Sequence, residues 1–145
     1  MLVQVKPEKV GKHWPKIESL IEGAIAGRTK QPTKKLLAQV RKALNVGKLV
    51  AWFNVDDDGE LKALVTTSIQ EGEGGRELMI YTLTWPKTSE FMTREEAEDM
   101  IGCLKKYCKD VGCNSIVGYT NARRVIRLAE DTGGDTSTVF IRWEV

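Results

Sequence analysis

A single histidine, no Cys-x-x-Cys pair, no long apolar run and almost no net charge set the first limits on this 145-residue chain. His13 stands far in sequence from Cys103, Cys108 and Cys113, so a zinc site of the usual ligand spacing is not supported. The three cysteines are spaced by five along one predicted helix and its end. Residues five apart on a helix point to different faces, which argues against a bridge and for reduced thiols. Lys and Arg number 22 against 20 Asp and Glu, so bulk electrostatics do not call for a polyanionic partner. The start, MLVQVKPEKV, has no apolar core or cleavage pattern, and no stretch reaches the length of a membrane span. These absences predict a cytoplasmic protein without a membrane partner.

What is present is 41% hydrophobic residues in well-spaced runs, enough for one core in a single domain spanning 1–145. Residues 1–5 form a short strand stopped by Pro7. Val10, Trp14, Ile17, Leu20, Ile21, Ala24 and Ile25 recur at three and four, the stripe of an amphipathic helix that Gly27 ends. Leu36, Leu37, Val40 and Leu44 make a second stripe, closed by Gly47. LVAWFNV (49–55) and LKALVTTSI (61–69) flank the acidic turn DDDGE as a hairpin, and after the break QEGEGG a third strand runs over 77–84. The acidic turn is no EF-hand: with Gly59 at loop position six, the position for the bidentate acid falls on Val65.

Thr93-Arg94-Glu95-Glu96 reads as a capping box opening a helix that buries Ala97, Met100, Ile101, Leu104 and Val111, with Gly112 as terminator. A strand over 115–120 follows. Asn121 is the predicted N-cap of a last helix that buries Val125, Ile126 and Ala129 before Gly133-Gly134. Val139, Ile141, Trp143 and Val145 then alternate with Thr138, Phe140, Arg142 and Glu144 as a closing strand. The order is β-α-α-β-β-β-α-β-α-β, an α/β (α+β) arrangement with a mostly antiparallel mixed sheet of about six strands flanked by about four helices.

That order, at this length, resembles the GNAT (N-acetyltransferase) superfamily over nearly the whole chain. The sharpest likeness is VIRLAEDTGG (125–134), where Ile126, Arg127, Leu128 and Gly133 match the family's fourth-helix pattern. Ala129 takes the place of the family's tyrosine, and Gly134 that of the aromatic after the glycine. The resemblance implies acetyl-CoA as donor and direct attack by an amine. With Ala129 unable to protonate the departing thiolate, Tyr119 or Tyr81 is the fallback donor. It places the cofactor against Leu83, Thr84, Lys87, Thr93, Arg94 and Asn121.

The family's Gln/Arg-x-x-Gly-x-Gly/Ala turn lets main-chain amides close around a pyrophosphate at a helix start. Here the matching segment, WPKTSEFMTREEAED, has no glycine. Between Lys87 and Asp99 it carries two cations against five acids, a net charge of −3. A narrower likeness, through Gly118, Thr120, Asn121, Ile126, Arg127 and Gly133, is to phage-encoded GNAT-like proteins, including internal virion proteins of short-tailed phages. Together these features predict a domain with a degenerate acyl-CoA site, no cofactor, and a role as interaction or assembly module in host cytoplasm or virion. Its partner would be another protein or a second copy.

The alternative is an atypical acetyl-CoA-dependent N-acetyltransferase. Of four tryptophans, Trp14, Trp52, Trp85 and Trp143, the sequence assigns Trp52 and Trp143 to the core and Trp85, beside Pro86 at a strand end, to a partly exposed contact surface. The basic clusters at Lys30, Lys34, Lys35, Arg41, Lys42 and at Arg123, Arg124, Arg127 lack the interleaved aromatics of a nucleic-acid platform. No catalytic partner is evident for His13, and no base for Cys108 beside Lys105, Lys106 and Lys109.

Overall fold

The computed structural model describes residues 1–26, 28–138 and 141–144. Its elements follow the predicted order as far as the last helix: β1 (Leu2–Val5), α1 (Val10–Ile25), α2 (Thr33–Asn45), β2 (Val50–Val55), β3 (Leu61–Gly72), β4 (Gly75–Thr84), α3 (Arg94–Val111), β5 (Ser115–Gly118) and α4 (Arg123–Asp131). The sheet runs β1-β2-β3-β4-β5, antiparallel except for the parallel β4–β5 pair. A parallel pair needs a crossover, which α3 supplies. No helix among the described residues is long and apolar enough to cross a membrane.

The two faces of the sheet carry separate apolar clusters. Val10, Trp14, Ile17, Ile21 and Ile25 of α1 and Leu36, Leu37, Val40 and Leu44 of α2 cover Ala51 and Leu64 on one face. On the other, Ala97, Met100, Leu104 and Cys108 of α3 cover Trp52, Ala63, Val65 and Leu78. The apolar periodicities of the three helices thus translate directly into two layers around one sheet. His13 is half-buried, its ring edge-on to Phe53 with centroids 5.6 Å apart.

α3 opens and closes as its sequence dictates. Thr93 Oγ1 accepts the Glu96 amide at 3.2 Å, and Gly112, at φ +76°, takes the left-handed turn that ends the helix. That turn corrects one step in the reading of the cysteines, the facing of Cys108 and Cys113, while all three stay free thiols. It folds Cys113 back so that its amide donates to the Cys108 carbonyl at 2.8 Å, and the two buried cysteines become neighbours. Helical spacing no longer applies once a left-handed residue intervenes.

Three further expectations are corrected. The QEGEGG stretch is strand, not break: β3 continues to Gly72, pairs with Gly75, and turns tightly through Glu73-Gly74. α4 is not capped by Asn121; Thr120 Oγ1 accepts the Ala122 amide at 3.1 Å and Ala122 is the N-cap. Five strands are present among the described residues, and the closing strand is not: 141–144 carry no strand, with Ile141 61% and Trp143 80% exposed. Trp143 is therefore outside the core, whereas Trp52 is inside it, its Nε1 donating to Thr67 Oγ1 at 2.9 Å. The parts of that predicted strand at Val139, Phe140 and Val145 lie outside the described residues, as does Gly27.

Candidate functional site

β4 is the strand on which a site can form, because its pairing is irregular on both edges. Against β3, Thr67 faces Ile80 and Thr66 faces Thr82, leaving Tyr81 as the extra residue of a β-bulge. A bulge bends its strand and adds twist. Against β5, the parallel ladder runs from Glu77–Ser115 to Ile80–Gly118 and stops there, although β4 continues to Thr84. Past Ile80 and Gly118 the two strands are no longer paired. A wedge results, with 81–84 as one wall and 119–122 as the other.

The wedge lies at the carboxyl ends of two parallel strands, where ligands of α/β sheets settle. α3 and α4 follow β4 and β5 in the chain, so each helix N-terminus comes after the carboxyl end of one of the two parallel strands. Over the α3 side, Trp85 is half-buried with Phe91 edge-on at 4.7 Å, and the Arg124 guanidinium stands 6.0 Å from the Phe91 centroid. The β4–α3 loop and the first turn of α4 are thereby brought together across the mouth.

The residues singled out from the sequence fall on several parts of this wedge. Leu83 and Thr84 lie on the β4 wall, with Trp85 just past them and Lys87 exposed beyond. Tyr119, 58% exposed, and Asn121 lie on the opposite wall. Thr93 and Arg94 mark the α3 start, but both are engaged: Thr93 by the Glu96 amide, Arg94 by Glu98 at 2.9 Å one turn along the helix. The bond and charge of Glu98 push the Arg94 pKa up. Arg94 is thus drawn along α3 rather than toward the loop. Glu95 and Glu96 occupy the first turn of α3, where they favour the helix and disfavour an anion.

Thr84 is buried, and its Oγ1 makes no hydrogen bond. It pairs with Leu64, whose side chain belongs to the α1/α2 cluster, so its hydroxyl turns to that face. Tyr81 packs on the same face. Its carbonyl accepts from Arg28 Nη1 at 2.8 Å, and the Arg28 guanidinium stands 5.3 Å from its ring centroid. Of the two fallback proton donors, Tyr119 stands on the β5 wall and Tyr81 beneath Arg28.

Sequence reasoning missed Phe91, Arg124 and Arg28 as wedge residues. Arg124 was legible only as one member of a basic cluster on α4, and nothing local marks Arg28, which reaches Tyr81 across 53 positions. The open groove between α3 and α4, about 380 Å³ and lined by Glu98, Ile101, Gly102, Lys105, Asp131 and Thr132, is separate from the wedge and holds no converging acid–base pair. Among the described residues no three His, Cys, Asp or Glu side chains converge as a metal site would need.

No protein-family model matches the sequence, and no curated protein sequence does. Solved structures do match. An aminoglycoside acetyltransferase from an uncultured soil metagenomic sample, solved with trehalose, superposes with a TM-score of 0.70 at 10% identity, covering 100% of this chain and 95% of that one. The aminoglycoside N-acetyltransferase AAC(6')-Iy in complex with CoA gives 0.68 at 16% identity, over 100% and 93%. A Clostridium acetobutylicum protein predicted to be an acetyltransferase, solved with acetyl-CoA, gives 0.68 at 14% identity, over 99% and 95%. The fold is that of the GNAT acetyltransferases. In this GNAT-like domain the β4–β5 ladder ends one residue before the bulge at Tyr81, and no glycine-rich turn follows β4.

Proposed function

We propose that this GNAT-like domain is an atypical acetyl-CoA-dependent N-acetyltransferase. The observation that carries the reading is the wedge itself: a bulged β4 whose outer edge past Ile80 is released from β5, beneath two helix N-termini. A purely structural sheet gains nothing by giving up those main-chain pairings. Structural neighbours solved with CoA or acetyl-CoA support the same choice of ligand.

In this reading the pantetheine arm pairs with the released edge of β4 along 82–84, past the Tyr81 carbonyl that Arg28 takes. The phosphates are taken by Lys87 and Arg124, the cations flanking the mouth, in place of loop amides and in place of Arg94, which Glu98 holds. The acceptor amine attacks the thioester carbonyl; the C–N bond forms, the C–S bond breaks, the amine loses its proton to solvent, and the CoA thiolate takes one. In this reading Tyr119, on the β5 wall, is the donor. Such a site relies on positioning an amine against an already activated acyl group, and needs no covalent enzyme intermediate.

A second reading has its own support. Tyr119, Ile141 and Trp143 expose 58, 61 and 80% of their surface, and exposed aromatics favour contact with another protein. With the acids of the α3 first turn, this fits a non-catalytic assembly module that binds a second copy or another protein, a phage particle being one setting. Calorimetric titration with acetyl-CoA at low salt separates the two. Binding at micromolar strength, weakened by Lys87→Ala or Arg124→Ala, is expected of the enzyme. No heat and no thermal stabilisation at millimolar ligand would leave the assembly module.

A further inference from the structure

The wedge stands in a sheet covered by α1 and α2 on one face and by α3 on the other. On the α3 face it meets the helix N-termini and the cations Lys87 and Arg124, so a nucleotide-bearing donor enters there, and the thioester lies in the gap between the strands. An acceptor amine must then come from the opposite face, where α1, α2 and the segment 141–144 lie. That entrance is marked by arginine.

Arg28, from the α1–α2 connection, is exposed, yet its guanidinium is held in place twice: through Nη1 to the Tyr81 carbonyl at 2.8 Å and over the Tyr81 ring at 5.3 Å. Arg142 donates from Nη1 to the Arg28 carbonyl at 2.8 Å, which brings a second guanidinium to the same entrance. Among the described residues the only ion pair is Arg94–Glu98, on the other side of the sheet, so no carboxylate neutralises Arg28. A guanidinium carries five N–H donors in a planar fork, and one of them satisfies the Tyr81 carbonyl. The contact with the Tyr81 ring restrains the plane of the remainder, a fork suited to a planar, bidentate anion.

We infer that the acceptor is a small primary amine bearing a carboxylate, an amino acid in its free form, whose carboxylate is bound by Arg28 while its amine reaches the wedge beside Tyr81. This rests on the acetyltransferase reading above and names its substrate class. The contact between Arg28 and the bulge residue keeps the two acceptor groups within a few bonds of each other. The same charge opposes polycationic amines, so the aminoglycosides acted on by some structural neighbours are poor acceptors here.

The test compares acetyl transfer from acetyl-CoA to free amino acids, to their carboxamides and to spermidine, with product followed by mass spectrometry. Hydrogen bonds to a charged group predict that the acids are favoured over the amides by about 10- to 100-fold in kcat/KM. Arg28→Gln brings that ratio to within about twofold, and Arg28→Lys keeps part of it. Equal rates for acids and amides, a preference for spermidine, or an undiminished preference in Arg28→Gln would overturn the inference. Binding of an N-acetyl amino acid, read by calorimetry on the same proteins, separates the two claims. If acetyl-CoA does not bind but the N-acetyl amino acid binds wild type and not Arg28→Gln, the carboxylate site stands and the acetyltransferase reading falls. If neither binds, both are overturned.

Discussion

Replacing Thr84 by valine sets the cost of one buried hydroxyl against its use. Thr84 is 8% exposed and its Oγ1 has no hydrogen-bond partner, on the α1/α2 face at the last position of β4. An unsatisfied buried polar group costs about 1–3 kcal/mol. Valine keeps the volume and the β-branch, so no cavity opens, and its extra methyl contributes up to about 0.8 kcal/mol of burial. Net stabilisation of about 1–2 kcal/mol is expected, roughly 3–8 °C in Tm for a domain of this size. Calorimetric melting of wild type and Thr84→Val, with urea unfolding to confirm an unchanged m-value, measures it. If the hydroxyl also steadies the acyl group or the amine, acetyl transfer falls about tenfold as stability rises, the usual trade at a functional position. A variant less stable than wild type by more than about 0.5 kcal/mol would refute the reasoning, since the hydroxyl would then have a partner worth keeping.

Glu95→Gln with Glu96→Gln lowers stability by about 0.3–1 kcal/mol for each charge removed from the first turn of α3, and raises CoA affinity several-fold at low salt. The gain should fade by about 0.5 M salt, and unchanged affinity at low salt would show that these acids do not face the ligand. Burial pushes the Cys108 thiol and the Tyr107 phenol up, with the neighbouring Cys113 adding to each. Raised pKa values mean that the folded state keeps these protons longer than the unfolded chain does. Their contribution is whole below the unfolded pKa and is lost as pH rises, so the urea midpoint stays level to about pH 8.5 and then declines; a rising midpoint above that pH would contradict this. Trp143→Ala, at an 80% exposed position, changes stability by no more than about 0.5 kcal/mol, whereas Trp52→Ala costs about 3–5 kcal/mol. Comparable losses in the two variants would return Trp143 to the core.

Where local chemistry decides, the sequence was readable. Thr93 and Gly112 bracket α3 because a hydroxyl cap and a left-handed glycine act on their own turn, and the stripes of α1 and α2 were legible because one face of each meets the sheet. Where pairing decides, it was not. Gly72 and Gly75 look like loop residues, yet the ladder between β3 and β4 holds them as a facing pair. The bulge at Tyr81 has no residue signature, since it exists only as a mismatch between the β3 and β4 registers. Cys108 and Cys113 are neighbours because a change of backbone handedness lies between them. Alternation alone over 138–145 predicted a strand; 141–144 carry none, and the wedge cations Arg28 and Arg124 are set by contacts between elements far apart in the chain.

The same distinction bears on function. A glycine-rich turn is local and can vanish from a sequence, but the split between β4 and β5 is a property of the sheet. It follows from a parallel pair, a crossover helix and one bulge, none of which needs the turn. On the proposed acetyltransferase reading, absence of that turn removes one way of holding phosphates without removing a slot for the acyl arm. On that reading side chains such as Lys87 and Arg124 take the place of fixed amides, at a cost in rotamer freedom of up to about 2 kcal/mol each. Their charge is also more open to screening than an enclosed amide nest. An acetyl-CoA site of this construction should be weaker and more salt-sensitive than a glycine-lined one, yet present the thioester to the Arg28 face in the same way.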